Sequence, residues 1–131
     1  MSAETFSISS RFCGPPRSGN GGYVCGRVAR HVAGPAVVRL KAPPPLEKPL
    51  QIDVSADLVQ LRDESAVIAE GRSTQLEMAP PAPPLFEVAA EASGSYLGFA
   101  RHPFPTCFVC GPRRSTGDGL RIFPGRVAGQ S

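Results

Sequence analysis

From residue 5 to residue 12 the chain alternates, with Phe6, Ile8 and Phe12 on one side and Ser7, Ser9 and Arg11 on the other. A period of two over eight residues predicts a half-buried strand. Gly14-Pro15-Pro16 ends it, and Ser18-Gly19-Asn20 supplies side-chain oxygens able to accept the orphan N–H bonds of a helix start. The period then changes. Val24, Val28 and Val32 recur every four residues with Cys25 and Ala29 beside them, which predicts a helix over residues 21–32. Gly22 and Gly26 lie one turn apart on it, each costing roughly 1 kcal/mol against alanine. That cost implies a close neighbour to the helix backbone. Gly34-Pro35 stops the helix.

Short strands follow. Residues 36–40 form the first, and Leu50, Ile52 and Val54 alternate with Gln51, Asp53 and Ser55 in the second. Residues 58–61 and 66–70 are two more, joined by a hairpin turn at Arg62-Asp63-Glu64-Ser65. The proline run at residues 43–45 cannot enter a central ladder and marks a crossing or an edge. The predicted order is one strand, one helix, then four antiparallel strands, an α+β domain over residues 1–75. Residues 76–101 are a proline-rich linker with a helix at residues 85–97, whose buried face would hold Phe86, Ala89, Ala90 and Tyr96. Residues 102–131 carry Cys107-Phe108-Val109-Cys110, a glycine-rich turn and a strand at residues 120–123.

Composition narrows the function classes. A length of 131 residues suits one ordinary domain. Net charge is +3, with basic residues scattered and Arg113-Arg114 the one adjacent pair, so a nucleic-acid partner is not expected. Pro (15) and Gly (14) together fall short of a low-complexity composition, and the prolines cluster as punctuation. No apolar stretch is long enough to span a bilayer, and the first ten residues lack the pattern of a secretory signal. The expected location is the cytoplasm, where the four cysteines would be thiols or metal ligands rather than a disulfide frame.

Two stretches resemble a known family. Phe12-Cys13-Gly14-Pro15-Pro16 with Ser18-Gly19-Asn20-Gly21-Gly22-Tyr23 resembles the start of the central helix in hotdog-fold thioesterases, over residues 5–72. Cys107-Phe108-Val109-Cys110-Gly111-Pro112, followed by Gly117-Asp118-Gly119-Leu120-Arg121-Ile122-Phe123, is similar to the opening of hotdog domains of the phenylacetate-pathway thioesterase type. The resemblance implies a hotdog, a long helix wrapped by an antiparallel sheet, followed by a linker helix and the first strands of a second, incomplete hotdog. It implies an acyl-CoA or other acyl-thioester ligand and a homodimer, or pairing with a second hotdog half. No cofactor is implied.

Thioester hydrolysis passes through an oxyanion, and the unpaired amides of a helix start can hold one. Asn20, Gly21 and Gly22 are the candidates for oxyanion binding and water positioning, and Tyr23 for substrate binding. The glycines would leave room for the thioester carbonyl, or would serve only to pack the helix start tightly. Hydrolysis also needs a general base. Residues 21–32 contain no Asp or Glu, and His31 lies at the far end, so the sequence departs from the family pattern there. Asp53, Asp57 and Asp63 fall on exposed strand or turn positions. A non-catalytic binding or assembly module is therefore the alternative function. A small zinc protein is a third, with Cys107, Cys110 and His102 as candidate ligands, although a structural site wants four. Otherwise the cysteine pair reads as a tight turn.

Overall fold

In a computed structural model, residues 2–129 are described. The chain divides into two compact units, residues 1–77 and 78–131. The first is α+β: a five-stranded antiparallel sheet with one helix against it. Its elements are β1 (Ser2–Ser7), α1 (Gly21–Ala29), β2 (Ala36–Leu40), β3 (Pro49–Val54), β4 (Val59–Asp63) and β5 (Ala66–Ser73). The strands lie in the order β1-β3-β4-β5-β2, so β1 and β2, the two strands flanking α1 in sequence, end as opposite edges of the sheet.

The sheet core follows from period-two alternation. Leu50 and Ile52 on β3 and Val59 and Leu61 on β4 are buried while their neighbours face outward. β5 breaks the alternation, because Ile68 and Ala69 are both buried. A register shift against β4 explains it: Leu61 pairs with Ala69 but Arg62 pairs with Val67, leaving Ile68 as the extra residue of a bulge. The Ile68 carbonyl is then turned toward the end of β2, where it accepts from the Lys41 and Ala42 amides at 2.8 and 3.3 Å.

Helix α1 buries Val24 and Val28 completely against this sheet. Each contributes about 1.5–3 kcal/mol by leaving water. The close approach occurs at Gly71 of β5, where an added Cβ would lie 2.9 Å from Val28 Cγ1. Gly26, which the sequence places against a neighbour, instead faces open space, with nothing within 4 Å of an added Cβ. Opposite Val28 the backbone approach is thus supplied by a glycine of the sheet, and not by Gly22 or Gly26 of the helix.

Several predicted boundaries are corrected. The first strand is Ser2–Ser7; Ser10–Phe12 is a 3₁₀ turn capped by the Ser9 hydroxyl, so the apolar alternation there extends beyond the sheet pairing. The helix ends at Ala29 rather than Val32. His31 and Val32 donate to Val28 and Ala29, three residues back, so the last turn tightens. At nine residues α1 is about 14 Å long, shorter than the long helix expected. The hairpin turn is tighter too, since β4 runs to Asp63 and β5 starts at Ala66. Glu64 takes φ 53° in that turn.

The second unit holds helix α2 (Phe86–Ser93) and a 3₁₀ turn at Leu97–Phe99. Phe86, Ala89 and Ala90 are exposed, contrary to the expected buried face, and Tyr96 alone of the four is partly buried. The expected strand at residues 120–123 is absent, and no strand occurs among the described residues of this unit. Arg121 adopts φ 53°, which breaks the extended run between Leu120 and Ile122, and both of those side chains stay exposed. The unit is organised instead by aromatic contacts. Tyr96, Phe99 and Phe123 meet pairwise with ring centroids 4.9–5.3 Å apart. Among the described residues of both units, no helix is long and apolar enough to cross a membrane.

The glycines give a paired prediction. Gly26→Ala stabilises the protein by about 0.5–1 kcal/mol, because a helix interior favours alanine and the site is open. Gly71→Ala destabilises it by about 1–3 kcal/mol through overpacking against Val28. Urea unfolding of the two variants checks both signs.

Candidate functional site

The start of α1 is fixed by a folded loop. Residues Cys13 and Gly19 form an isolated antiparallel bridge, and the Gly14 amide donates to the Ser18 carbonyl at 3.0 Å. The Gly19 amide donates to the Pro44 carbonyl at 2.8 Å, so the proline run lies beside this loop as an edge strap. The Asn20 amide donates to the Phe12 carbonyl at 2.7 Å. Asn20 is 9 % exposed, and its Oδ1 accepts from the Tyr23 amide at 3.1 Å, a standard N-cap bond.

This geometry sorts the sequence-predicted residues. Asn20, Gly21, Gly22 and Tyr23 do sit together at the helix start. The Tyr23 amide is consumed by the cap, so it is not available to an oxyanion, and the same bond employs the Asn20 oxygen expected to position water. Gly21 and Gly22 are left as the donor pair. Leu40 on edge strand β2 covers the Gly21 face, with its Cδ1 3.1 Å from where a Cβ would stand, whereas Gly22 is exposed. The Tyr23 ring stacks on Phe12 with centroids 4.2 Å apart, and its hydroxyl accepts from Arg27 Nη1 at 3.2 Å. Arg27 in turn lies over the Phe6 ring at 4.3 Å. Tyr23 is therefore part of a Phe12–Tyr23–Arg27–Phe6 stack along the helix, a link that periodicity alone does not display.

Several carboxylates of this unit have partners of their own. Glu4 meets His31 at 3.7 Å, at the opposite end of α1 from Asn20. Asp53 accepts from Gln51 at 2.7 Å and lies 3.9 Å from Arg62; Asp63 pairs with Lys48 at 2.7 Å. Asp53 and Asp63 are partly buried rather than exposed, while Asp57 is exposed as expected. Glu70 pairs with Lys41 at 3.1 Å and accepts from Gln60 at 3.0 Å. These hydrogen bonds, Lys41 first, hold its carboxyl below the ordinary value of 4.5. A cavity of about 280 Å³ in this unit is lined by His31, Val32, Val54, Asp57, Leu58 and Gly71, among others, toward the C-terminal end of α1.

In the second unit the structure brings His102, Cys107 and Cys110 together. Cys107 is 6 % exposed and Cys110 partly exposed, with sulfurs 3.6 Å apart. His102 Nε2 lies 3.3 Å from Cys110 Sγ. The turn closes through the Gly111 amide, which donates to the Cys107 carbonyl at 2.9 Å. Only glycine fits at 111, because a Cβ there would stand 2.5 Å from both the Cys107 nitrogen and the Pro105 carbonyl oxygen. The carbonyls of Phe108 and Val109 accept from the Leu120 and Ile122 amides at 2.8 and 2.9 Å. The Tyr96 hydroxyl donates to the Cys110 carbonyl at 3.1 Å. Among the described residues no three His, Cys, Asp or Glu side chains form a group that could hold a metal ion. The His102 tautomer gives a reason: Nδ1 accepts from the Phe104 amide at 2.8 Å, so in the neutral ring Nε2 carries the proton and offers no lone pair.

No protein-family model, no curated protein and no solved structure matches the chain.

Two predictions follow from this geometry. Asn20→Ala costs about 1–2 kcal/mol of stability by leaving the Tyr23 amide unpaired, and Asn20→Asp largely preserves it; thermal melts compare the two. The second concerns acid. Because the Glu70 value is lower in the folded than in the unfolded protein, its contribution is complete above pH 4.5 and is lost as pH falls through the folded value. Glu70→Gln therefore narrows the difference in melting temperature between pH 7 and pH 3, as read by circular dichroism.

Proposed function

We propose that the first unit is a hotdog domain and that the protein is a thioesterase-like hotdog protein, taking acyl-CoA thioesters at the N-terminal end of α1. The observation that carries this reading is the topology: one strand, one helix, then four strands, in an antiparallel sheet of order β1-β3-β4-β5-β2 with the helix against it. The Gly21 and Gly22 amides would face the thioester carbonyl, favoured by the positive end of the helix dipole. Leu40 beside Gly21 offers an apolar wall for the acyl chain. Pairing of two copies would cover an edge of the sheet, where Val37 and Leu40 of β2 are 45 % and 43 % exposed.

A second reading, a non-catalytic acyl-thioester binding or assembly module, is favoured by a specific observation. The carboxylates of the first unit that make ion pairs are committed to Lys41, Lys48, Arg62 or His31, and His31 itself lies at the far end of α1. The helix start, residues 20–23, offers donors for an anion and itself carries no carboxylate or histidine. Binding follows from that arrangement more directly than hydrolysis does.

Titration calorimetry with acetyl-, butyryl- and octanoyl-CoA, together with a thiol-release assay on the same protein, separates the two readings. The expected result is binding that weakens at least about tenfold in Gly22→Val, a loss of about 1.4 kcal/mol. Release of CoA above background establishes the hydrolase, and binding without release establishes the module. Absence of both in a folded protein removes the acyl-thioester reading.

A further inference from the structure

The cysteine turn of the second unit is independent of the proposed acyl-thioester site, and its geometry has its own chemistry. Three groups stand in a row: His102 Nε2, 3.3 Å from Cys110 Sγ, which is 3.6 Å from Cys107 Sγ. The Phe104 amide donates to Nδ1 of His102 at 2.8 Å, which fixes the ring and leaves the Nε2 proton directed at the Cys110 sulfur. A metal ion would need the lone pair that this proton occupies, and two sulfurs alone fall short of the four ligands of a closed zinc site. The row is instead a hydrogen-bonded dithiol, with both sulfurs held in a turn only three residues apart.

We propose that Cys107 and Cys110 are a reversible dithiol–disulfide couple that reacts with low-molecular-weight disulfides, with Cys110 as the attacking sulfur and His102 as its positioning residue. Exposure assigns the roles. Cys110 is partly exposed, so an external disulfide can reach it, whereas Cys107 is buried and is reached from within, by the sulfur beside it. In the first step the Cys110 thiolate attacks one sulfur of R–S–S–R. A Cys110–S–S–R bond forms, the external S–S bond breaks, and RS⁻ leaves and takes up the proton that Cys110 gave to water. In the second step the Cys107 thiolate attacks the Cys110 sulfur, the Cys107–Cys110 bond forms, and a second RS⁻ leaves and is protonated in turn. The protein loses two electrons and two protons, and the external disulfide becomes two thiols.

The groups facing the Cys110 sulfur are His102, Cys107 and the Tyr96 hydroxyl; Tyr96 also donates to the Cys110 carbonyl, and its hydrogen bond to the thiol favours the thiolate. Burial first, and then the hydrogen bond with Cys107, push the Cys110 thiol up from its ordinary value of 9.0. The couple is therefore slow at neutral pH and accelerates as pH rises. The His102 N–H bond favours the thiolate and holds its lone pairs in place.

Trypsin offers a direct assay, because cleavage after Arg101 and Arg113 releases Cys107 and Cys110 together in one peptide without Cys13 or Cys25. The full chain is equilibrated with an excess of glutathione disulfide, quenched with acid, alkylated and digested. The expected peptide has lost two hydrogens and is not alkylated, and dithiothreitol restores the dithiol. In Cys107→Ser the mixed disulfide with glutathione accumulates on Cys110, while Cys110→Ser collects little on Cys107. His102→Asn shifts the pH profile of Cys110 alkylation to higher pH without changing the melting temperature comparably. A peptide that stays a dithiol overturns the proposal, as does glutathione found on Cys107 rather than Cys110. Close to one equivalent of zinc in the purified protein, protecting both thiols from oxidation, also overturns it. The wild-type mapping stands on its own if a cysteine variant fails to fold.

Discussion

Val28 of α1 rests on Gly71 of β5, and the rest of the first unit depends on that contact. With no side chain at 71, the helix comes close enough for Val24 and Val28 to be fully buried among Ile8, Leu50, Ile52, Val59, Leu61, Ile68 and Ala69. The β5 bulge serves the same contact by turning two consecutive residues, Ile68 and Ala69, toward the interior. The position of α1 sets the position of its first turn, and the loop before it is tied to the Pro44 carbonyl. A packing constraint between one glycine and one valine thus determines where the Gly21 and Gly22 amides stand.

Those amides give the first unit donors on a helix that itself carries no Asp, Glu or His. Asn20 spends its oxygen on the cap, Tyr23 spends its amide on the same bond and its hydroxyl on Arg27. The result is a helix start suited to holding a developing or resident negative charge. In the proposed acyl-thioester site the Gly21 and Gly22 amides would hold the ligand's oxygen, and any base for hydrolysis would have to come from outside α1.

The second unit reaches order by other means. Prolines remove backbone donors through much of its length, and α2 exposes Phe86, Val88, Ala89 and Ala90. Order comes from local turns, from the Tyr96–Phe99–Phe123 ring cluster and from the closed turn around Cys107, the buried hydrophobic side chain among the described residues of this unit. In so small a core, a hydrogen-bonded cysteine pair beside an oriented histidine is both a structural element and a chemically distinct one.

The sequence by itself determined the elements whose residues repeat at a fixed period. β3 was legible from alternation, β2 was expected at its observed bounds, the start of α1 was legible from Asn20 and the glycines after it, and the β4–β5 hairpin from its polar turn. It also marked Cys107, Cys110 and His102 as a possible group and showed that α1 carries no carboxylate. Tertiary structure decided the remainder. Periodicity reports which face of an element is apolar, not what lies across from it. Sequence therefore assigned the close approach to Gly22 and Gly26 when packing opposite Val28 assigned it to Gly71, and it extended a helix and a strand past the points where hydrogen bonding ends them. The apolar positions Leu120 and Ile122 read as a strand, but Arg121 between them turns to positive φ, a conformation no residue pattern announces. The tautomer of His102 was likewise fixed by a backbone amide, that of Phe104, whose direction depends on the folded chain and not on the identity of any side chain.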